Sequence, residues 1–531
     1  MKKLAKVLII SMITSLFCIE LYAKTPSDTL IIVGPEAPNI LDIQVPGANV
    51  YAALVNITCY DRLITWGIKK AEGGSLSYDS DNIIPELAES WKVIDDGKSI
   101  IFKIRKNATF HDGSPVTAND VKWSLDRIVS IGGFPSTQMA AGGMSKSSQF
   151  VVEGDHTFRI NFDKPNKLAI PDNGVPVPAV YNSKLAKKHS TSDDPWAQKY
   201  LSQNCAGGGA YKVESFEPSE KVVFKRFDNW KSGKLPRMKK VIFQKIENDS
   251  TRRALLEKGD VDLSIGLSKK DISDLSKLQN LKVESVAAVN SLIGIDLNTK
   301  MKPFNDVRVR RAIAHAIPYD KIISTAFHGY GKALTGHISG TPYKPFWPAN
   351  SQYSFDLSKA KNLLKEAGYS NGFKTTISYD QGLEATRKPI ALLVQESLSK
   401  IGIDAKVNNV PNANFMGELG KKKMPMVIAY FYAWLNYPEY FFFWNYHGGE
   451  NSVHNAANYQ NNLLDNIIEE AQYERDDIKY KALVSSMVNI VMADMPRIPI
   501  TPVYLDVAMQ NDIKGYAYWF HQMPDFRAIY K

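Results

Sequence analysis

The amino-acid sequence predicts a mixed α/β fold organised in large lobes. Short apolar runs that end in turn residues alternate with segments of helical periodicity, which indicates strands and helices mixed throughout the chain. After the amino terminus, no segment reaches the ~18 consecutive apolar residues of a membrane span. No repeat with a period of about 20 to 50 residues recurs, which argues against solenoids. With 531 residues and 23% charged side chains, the chain has room for several domains and an ordinary globular composition.

The first 23 residues are a predicted secretory signal peptide, so the mature chain is expected to begin at Lys24. The signal has a basic start, an apolar run and a small residue before the cleavage point: Lys2, Lys3 and Lys6, then 7–19, then Leu21-Tyr22-Ala23. The apolar run is short for a membrane span, which disfavours a retained anchor. Cys18 raises the alternative of a lipoprotein signal, but the bulky Phe17 before it argues against that. We expect a soluble exported protein.

Three segments carry strand patterns. The segment 28–34 holds a short apolar run that ends in Gly34, which is typical of a buried strand. The segment 99–105 alternates in its second half and 156–162 alternates strictly, so both are predicted strands with one solvated face.

Five segments have apolar residues at helical spacing and are predicted α-helices: 118–128, 306–316, 356–367, 388–401 and 462–473. Thr117 precedes the first of them and Asp120 follows three residues later, which is favourable chemistry for a helix start. Gly368 follows the third and is expected to end it.

Motifs of common enzymes are missing from the sequence. It has no Gly-x-Ser-x-Gly, Gly-x-x-x-x-Gly-Lys-Ser/Thr, His-Glu-x-x-His or Cys-x-x-Cys pattern. His447 and His454 are the one close histidine pair in a polar setting, and their spacing fits no standard metal site, so no metal and no cofactor is predicted. The net charge of +10 is spread along the chain, with 421–423 as the longest basic run, so no nucleic-acid partner is predicted. Cys59 and Cys205 allow at most one disulfide and are expected to be two buried thiols.

The segment 85–121 carries the most informative pattern in the chain. It reads P-x-L-A-x-x-W, D-G, F-x-I-R and then F-H-D-G-x-P-x-T-A-x-D-V. This pattern resembles the signature of the extracellular solute-binding proteins of peptide and nickel ABC transporters, solute-binding protein family 5, which includes oligopeptide- and dipeptide-binding proteins. The sequence departs from that signature mainly in Ile104, where the family has Leu.

The resemblance continues in order along the chain. Residues 207–211 are similar to the family's G-T-G-P-Y loop, with Gly208 for Thr and Ala210 for Pro. Three later segments are similar to the patterns L-x-x-G-x-x-D, P-F-x-D-x-R-V-R-x-A and D-x-x-K-A-x-x-L-L-x-E-A-G-Y: 252–263, 303–312 and 356–369. Because the similarity covers essentially the whole mature chain, the sequence is identified as a member of this family.

Family membership implies a two-lobed periplasmic binding protein fold of type II, in its large peptide-binding class, with an extra domain inserted in the first lobe. The expected division is 1–23 signal peptide, 24–57 first segment of lobe 1, 58–207 inserted domain, 208–289 second segment of lobe 1, 290–505 lobe 2, and 506–531 return to lobe 1. The glycines at 207–209 and a change of charge balance near 289–291 support two of these limits.

The resemblance also implies a function. The protein is expected to be the extracytoplasmic binding component of an ABC importer, capturing a peptide or peptide-like solute between two lobes and delivering it to permease subunits in the inner membrane. We expect a monomer in the periplasm and no catalysis. A nickel or metal-chelate ligand is the alternative within the family; a secreted hydrolase and an exported interaction protein without a transport role are alternatives outside it.

The expected ligand site centres on the aromatic-rich stretch 429–440. From Trp434 onwards the sequence resembles the family loop W-x-x-D-Y-x-(D/E)-P, whose Asp captures the terminal ammonium of a peptide. Here the loop is one residue shorter and Asn436 takes the Asp position, which removes a charge-assisted bond worth ~1.5–3 kcal/mol unless Glu439 supplies the charge. The expected ligand-binding residues are Trp434, Asn436, Tyr437, Glu439, Gly208 and Tyr379.

Overall fold

A computed structural model describes residues 25–71, 74–288, 290–334, 353–449 and 452–531. The predicted signal peptide and Val289, at a predicted lobe limit, lie outside the described residues. Within these ranges, no helix combines the length and the apolarity that crossing a bilayer requires.

The strands of the described chain form four sheets. In chain order the strands are β1 Thr29–Gly34, β2 Ile64–Lys70, β3 Leu76–Pro85, β4 Ala88–Ile94, β5 Ser99–Ile104, β6 Phe150–Gly154, β7 Thr157–Asn161, β8 Tyr211–Glu217, β9 Lys221–Arg226, β10 Lys240–Lys245, β11 Leu263–Ile265, β12 Leu281–Ala287, β13 Ser291–Leu297, β14 Phe373–Asp380, β15 Ile403–Val410, β16 Met426–Tyr432, β17 Arg497–Thr501, β18 Tyr504–Gln510 and β19 Ala517–Tyr518.

The α-helices pack around these sheets. In chain order they are α1 Ala52–Cys59, α2 Ala118–Ile131, α3 Gly133–Ala141, α4 Ser183–Lys187, α5 Gln198–Leu201, α6 Asp249–Lys258, α7 Lys269–Leu275, α8 Val307–Ala316, α9 Tyr319–Ala326, α10 Leu357–Glu366, α11 Glu384–Ser399, α12 Asn412–Gly420, α13 Pro438–Tyr446, α14 Asn462–Tyr473 and α15 Asp477–Asp494.

The elements predicted from the sequence pattern are confirmed. The three predicted strands are β1, β5 and β7, and the five predicted helices are α2, α8, α10, α11 and α14. At the start of α2, the Thr117 backbone N–H donates to Asp120 Oδ2 at 2.9 Å, as expected of a capped end. After α10, Gly368 has a φ of 86°, a left-handed conformation that glycine adopts at little cost.

The largest sheet is assembled from three distant stretches of the chain. Its strand order is β12-β18-β11-β1-β10-β9-β8. β1 lies inside this sheet, parallel to both β10 and β11, while β18 lies antiparallel between β11 and β12. β18, from near the carboxyl terminus, thus returns to a sheet begun by the amino-terminal strand β1. This is the chain path expected of lobe 1, although the individual domain limits stay predictions.

A second large sheet has the strand order β15-β14-β16-β13-β17. β13 is buried along its whole length and pairs antiparallel with β16 and β17, whereas β14 pairs parallel with β15 and β16. Arg497 and Asp296 form a buried ion pair inside this sheet, in which Arg497 Nη2 donates to Asp296 Oδ2 at 2.8 Å.

The two smaller sheets have the strand orders β19-β3-β2 and β4-β5-β7-β6. Strands β2 to β5 lie between α1 and α2, β6 and β7 follow α3, and β19 comes from near the carboxyl terminus. This region is fastened to the segment after β1 by a buried ion pair. Arg127 of α2 lies 2.6 Å from Asp42, with both side chains fully buried, and the Tyr181 hydroxyl donates to the same carboxylate at 2.9 Å. Removing one partner of such a pair leaves an uncompensated buried charge, so the contact holds the two regions in a fixed relation.

Candidate ligand-binding site

Several strands of the two large sheets end close to one another, and the region between these strand ends is termed the cleft. Glu36 follows β1 of the first sheet, while Asp380 ends β14 and Asn412 follows β15 of the second. Asn412 Nδ2 donates to Glu36 Oε1 at 2.9 Å, so the sheets approach each other at their carboxyl edges. In α/β proteins the crevice beyond the carboxyl ends of strands is the usual place for a ligand.

Tyrosines line this cleft. Tyr430 is the one exposed position on β16, a strand that is otherwise buried or half-buried, and its ring stacks with that of Tyr432 at a centroid distance of 6.2 Å. Tyr51, directly before α1 in the first lobe, lies close enough to interact electrostatically with both Glu36 and Tyr430. The cleft therefore has aromatic surface on both sides, which can pack against an organic ligand.

Arg387 is the most unusual charged group in the cleft. Its guanidinium lies 5.5 Å from the centre of the Tyr430 ring and is 5% exposed. Burial lowers the pKa of Arg387 to about 10, because the charged form has lost solvent. In the described part of the chain, Arg387 Nε has no hydrogen-bond partner and no carboxylate lies within ion-pair distance of the side chain. A buried cation without a paired counterion is costly, and Asp380 acts on Arg387 only from beyond ion-pair distance, so this position suits an anionic group of a ligand.

Helix α11 explains why this cation points inward. Its buried positions are Arg387, Ile390, Ala391, Val394, Ser397 and Leu398, which recur at helical spacing. Arg387 therefore occupies the first turn of a mostly apolar buried face. A buried arginine in that position is a signal that sequence reasoning missed.

Other charges face the same space. Lys269 of α7 lies 2.6 Å from Asp506, and both side chains are 8% exposed. The positive charge of Arg387 also acts electrostatically on Lys269. Glu36 and Asp380 both act electrostatically on Tyr430. Burial raises the pKa of Asp380, whose Oδ1 accepts a hydrogen bond from the Gly382 amide. Cations and carboxylates thus lie on both sides of the cleft, a distribution that can complement a ligand carrying both signs of charge.

The predicted loop 434–439 lies beside this cleft and contacts the region built from residues 64–161. Trp434 is largely buried and meets the Phe134 ring of α3 edge-on at 5.4 Å. Asn436 Nδ2 donates to Ser80 Oγ at 3.2 Å, and the Tyr437 carbonyl accepts from Asn290 Nδ2 at 2.8 Å. The four predicted loop residues are neighbours in the chain and have different partners, and their contact with a ligand stays a prediction.

Glu439 lies in the first turn of α13 and is 1% exposed. Its Oε2 accepts a hydrogen bond from the Tyr480 hydroxyl at 2.6 Å, and its Oε1 lies 3.9 Å from Lys167 Nζ without a hydrogen-bond partner among the described residues. Burial raises the pKa of Glu439 above its ordinary value. One carboxylate oxygen is therefore left able to accept a donor.

The two other predicted ligand residues have different surroundings. Gly208 is buried, and a Cβ at this position would lie 2.9 Å from the Thr109 carbonyl oxygen, so close backbone packing accounts for the glycine. Tyr379 lies on β14 next to Asp380 and is 2% exposed. Whether either residue touches a ligand stays a prediction.

The described residues contain no group of three or more His, Cys, Asp or Glu side chains placed to hold a metal ion. His454 lies against Phe431 and Trp444, and burial lowers its pKa to about 4, so it is neutral at physiological pH. His447 lies 3.2 Å from Glu469.

The chain is similar to a family of known proteins. Residues 82–453 match the family described as bacterial extracellular solute-binding proteins, family 5 Middle. The chain is 26% identical over 510 residues to the probable D,D-dipeptide-binding periplasmic protein DdpA of Escherichia coli strain K12, covering 94% of this chain and 93% of that protein.

Solved structures share the fold over nearly the whole chain. The Helicobacter pylori periplasmic binding protein DppA in complex with the peptide STSA has a TM-score of 0.80 at 24% identity, covering 94% of this chain and 98% of that one. NikA of Brucella suis in complex with Fe(III)-EDTA has a TM-score of 0.76 at 21% identity, covering 95% and 99%. The two-lobed periplasmic binding protein fold expected from the sequence is confirmed. The chain belongs to the bacterial extracellular solute-binding proteins of family 5.

Proposed function

We propose that the protein is the exported binding component of an ABC importer and that it captures a peptide or peptide-like solute through a carboxylate of that solute. The observation that carries the ligand class is Arg387, a buried guanidinium in the cleft with no carboxylate partner in the described chain. A ligand carboxylate would supply the counterion and bidentate hydrogen bonds.

The remaining cleft residues fit the rest of such a ligand. The rings of Tyr51, Tyr430 and Tyr432 offer apolar walls for side chains or backbone. Glu36 and Asp380 place negative charge near Tyr430, which suits a ligand that also carries positive charge. The name of DdpA, a dipeptide-binding protein, and the peptide bound to DppA support a peptide-like ligand for this chain.

The protein is proposed to act by binding and delivering its ligand, without catalysing a reaction. The mature chain is proposed to begin at Lys24, to work in the periplasm as a monomer, and to pass its closed complex to permease subunits in the inner membrane. Amino-terminal sequencing of the exported protein tests the start of the chain. A cytoplasmic protein that retains Met1 would contradict export.

Calorimetry on the mature protein tests the carboxylate contact. A free-acid dipeptide and its carboxyl-terminal amide differ only in the charge that Arg387 is proposed to bind. Arg387→Met is expected to weaken the free acid about 10- to 100-fold, the equivalent of one charge-assisted bond, and to spare the amide. Arg308→Met is the matched control, since Arg308 is 46% exposed and pairs with Asp306.

A metal chelate is the second ligand class to be measured, because Arg387 would also suit the carboxylates of a chelator. Nickel with histidine should bind weakly or not at all if the peptide proposal is right. Equal affinity of both dipeptide forms for wild type and Arg387→Met would overturn the assignment of Arg387. Dipeptides that are cleaved during the titration would overturn the proposal of a binding protein.

A further inference from the structure

Cys59 and Cys205 meet at the point where the chain leaves and re-enters the first lobe. Cys59 ends α1, and Cys205 lies shortly before β8. The Gly209 amide donates to the Cys59 carbonyl at 2.9 Å, and the Ala206 amide donates to the Tyr60 hydroxyl at 3.1 Å. The two chain segments therefore run against each other, and the thiols of Cys59 and Cys205 lie close enough for each to influence the pKa of the other.

The glycines after Cys205 make this contact possible. A Cβ at Gly207 would lie 1.8 Å from the Cys59 carbonyl oxygen, and one at Gly209 would lie 2.7 Å from the Cys59 carbonyl carbon. Neither position tolerates a side chain without a backbone shift. The segment that follows Cys205 is thus packed directly against the Cys59 backbone, and a disulfide requires such close backbones.

The two thiols have different surroundings. Cys59 is fully buried, whereas Cys205 is partly exposed and also contacts the His111 side chain. His111 Nε2 lies 3.0 Å from the Gly209 carbonyl, which fixes the ring beside the pair. Burial raises the pKa of Cys205, but hydrogen bonds with Cys59 and His111 outweigh it and hold that pKa well below its usual range; burial raises the pKa of Cys59. Cys205 is therefore the reactive thiol and Cys59 the protected one.

We propose that Cys59 and Cys205 form a disulfide in the exported protein, with Cys205 as the first sulfur to react. The Cys205 thiolate attacks the disulfide of an oxidant, either a thiol–disulfide oxidoreductase of the export compartment or oxidised glutathione in the test tube. One oxidant sulfur leaves as a thiolate and a mixed disulfide forms. The Cys59 sulfur, losing its proton, then attacks Cys205 Sγ and releases the second oxidant sulfur. Two protons and two electrons leave the pair, and the oxidant disulfide becomes two thiols.

The disulfide would close a loop of about 150 residues that spans nearly all of the predicted inserted domain 58–207. Long loops are the ones whose closure restricts the unfolded chain most. The pair lies at the end of α1, away from Arg387 and Tyr430, so oxidation is expected to raise the melting temperature and to leave ligand affinity unchanged. This inference rests on the proposed export, because such bonds persist in oxidising compartments.

Thiol counting on the full-length chain tests the proposal. The exported fraction is denatured at once in the presence of the alkylating reagent, so that a buried thiol also reacts, and is analysed by peptide mass spectrometry with and without reduction. We expect a linked Cys59–Cys205 peptide, two hydrogen atoms lighter than the two reduced peptides, and no alkylated cysteine before reduction. Two alkylated cysteines in the exported fraction would overturn the disulfide.

A second experiment tests disulfide formation independently of export and establishes which cysteine reacts first. Reduced, folded mature chain is incubated with oxidised glutathione. Cys59→Ser should trap glutathione on Cys205, while Cys205→Ser should leave Cys59 unmodified because it is buried. A wild-type chain that stays reduced here overturns the site, and glutathione trapped on Cys59 instead overturns the order. A chain that oxidises here but is found in the cytoplasm supports the site and contradicts only the proposed export. Peptide mapping of the wild type decides the bond even if a variant fails to fold.

Discussion

At the scale of single residues, the buried arginines differ in their partners, and Arg310, for example, donates to the Phe304 and Asp494 carbonyls. Arg62, Arg127 and Arg497 each meet a buried carboxylate, from Glu86, Asp42 and Asp296 respectively. Arg387 has no such partner among the described residues. Pairing is what allows a charge inside a protein, so the paired arginines belong to the scaffold and Arg387 is left for a ligand.

The Glu439 carboxylate is predicted to decide whether a free amine is bound. Glu439→Gln should weaken a free-amine dipeptide about 10-fold or more and spare its N-acetylated form, since Oε1 lacks a hydrogen-bond partner and an ammonium would meet it. Calorimetry with both ligands measures this.

Asn436→Asp is the companion variant for the Glu439 measurement. If Asn436 occupies the family's Asp position, the substitution should shift preference towards the free amine. Indifference of both ligands to both variants would place the ammonium elsewhere, with Glu36 and Asp380 as the nearest carboxylates to Tyr430.

Asp172 is predicted to make stability depend on pH. Burial raises its pKa from 3.8 to about 7, with Gln138 Nε2 donating to Oδ1 at 2.6 Å. Between these values the folded chain holds a proton that the unfolded chain has released, so raising the pH lowers the free energy of unfolding. The slope from this group is at most about 1.4 kcal/mol per pH unit.

Urea unfolding from pH 4.5 to 7.5 measures this effect. Asp172→Asn should flatten the curve over that range, since the amide does not titrate. Asp193→Asn, at an exposed position, should leave the wild-type slope unchanged. If Asp172→Asn kept the pH dependence of the wild-type protein, the Asp172 carboxyl would not be the source of that dependence.

At the scale of elements, signals that act locally were readable from sequence. Thr117 and Asp120 are three residues apart and stabilise their helix start by contacts within one turn, and Gly368 ends α10 through its own φ. Whether Arg387 has an ion-pair partner depends instead on which carboxylates the tertiary fold places near it. Asn436 likewise could be aligned with a family position, but its partner Ser80 lies 356 residues away in the chain.

The α2 start gives a prediction at this scale. Thr117→Ala removes the hydroxyl that donates to Asp120 at 2.8 Å and should lower the free energy of unfolding by about 1 kcal/mol. Thr117→Ser keeps the hydroxyl and should restore stability. Asp120→Ala should cost more, because Asp120 also accepts from Ser183 Oγ at 2.6 Å. Urea unfolding measures all three, and equal stability of Ala and Ser variants would contradict the cap.

At the scale of the whole molecule, side chains bridge regions that lie far apart in sequence. Arg475 Nη1 donates to Asp96 at 2.9 Å, Gln472 Nε2 donates to the Ala141 carbonyl at 2.7 Å, and Asn412 donates to Glu36. Several of these bonds are exposed, single contacts that contribute little on their own. They suit a closed arrangement that opens when no ligand holds it.

Closure is predicted to be visible in solution. Small-angle scattering should show a larger radius of gyration without ligand and compaction with a saturating dipeptide. The ligand should also raise the melting temperature, since about 100-fold excess over Kd adds ~2.7 kcal/mol to the free energy of unfolding. Tyr440→Phe, which loses the hydroxyl bond to Gln138, should reduce the compaction at limiting ligand. An unchanged radius on saturation would contradict hinge closure.

The seven-stranded sheet has a consequence for how the chain would mature during the proposed export. β11 pairs on one side with β1 and on the other with β18, and β12 joins the sheet only through β18. A chain that emerges amino terminus first therefore holds an open sheet edge at β11 until residues 504–510 arrive. The first lobe is complete only when the last part of the chain has crossed, so a partly translocated or truncated chain keeps an unfinished edge that proteases and chaperones can distinguish from the finished protein.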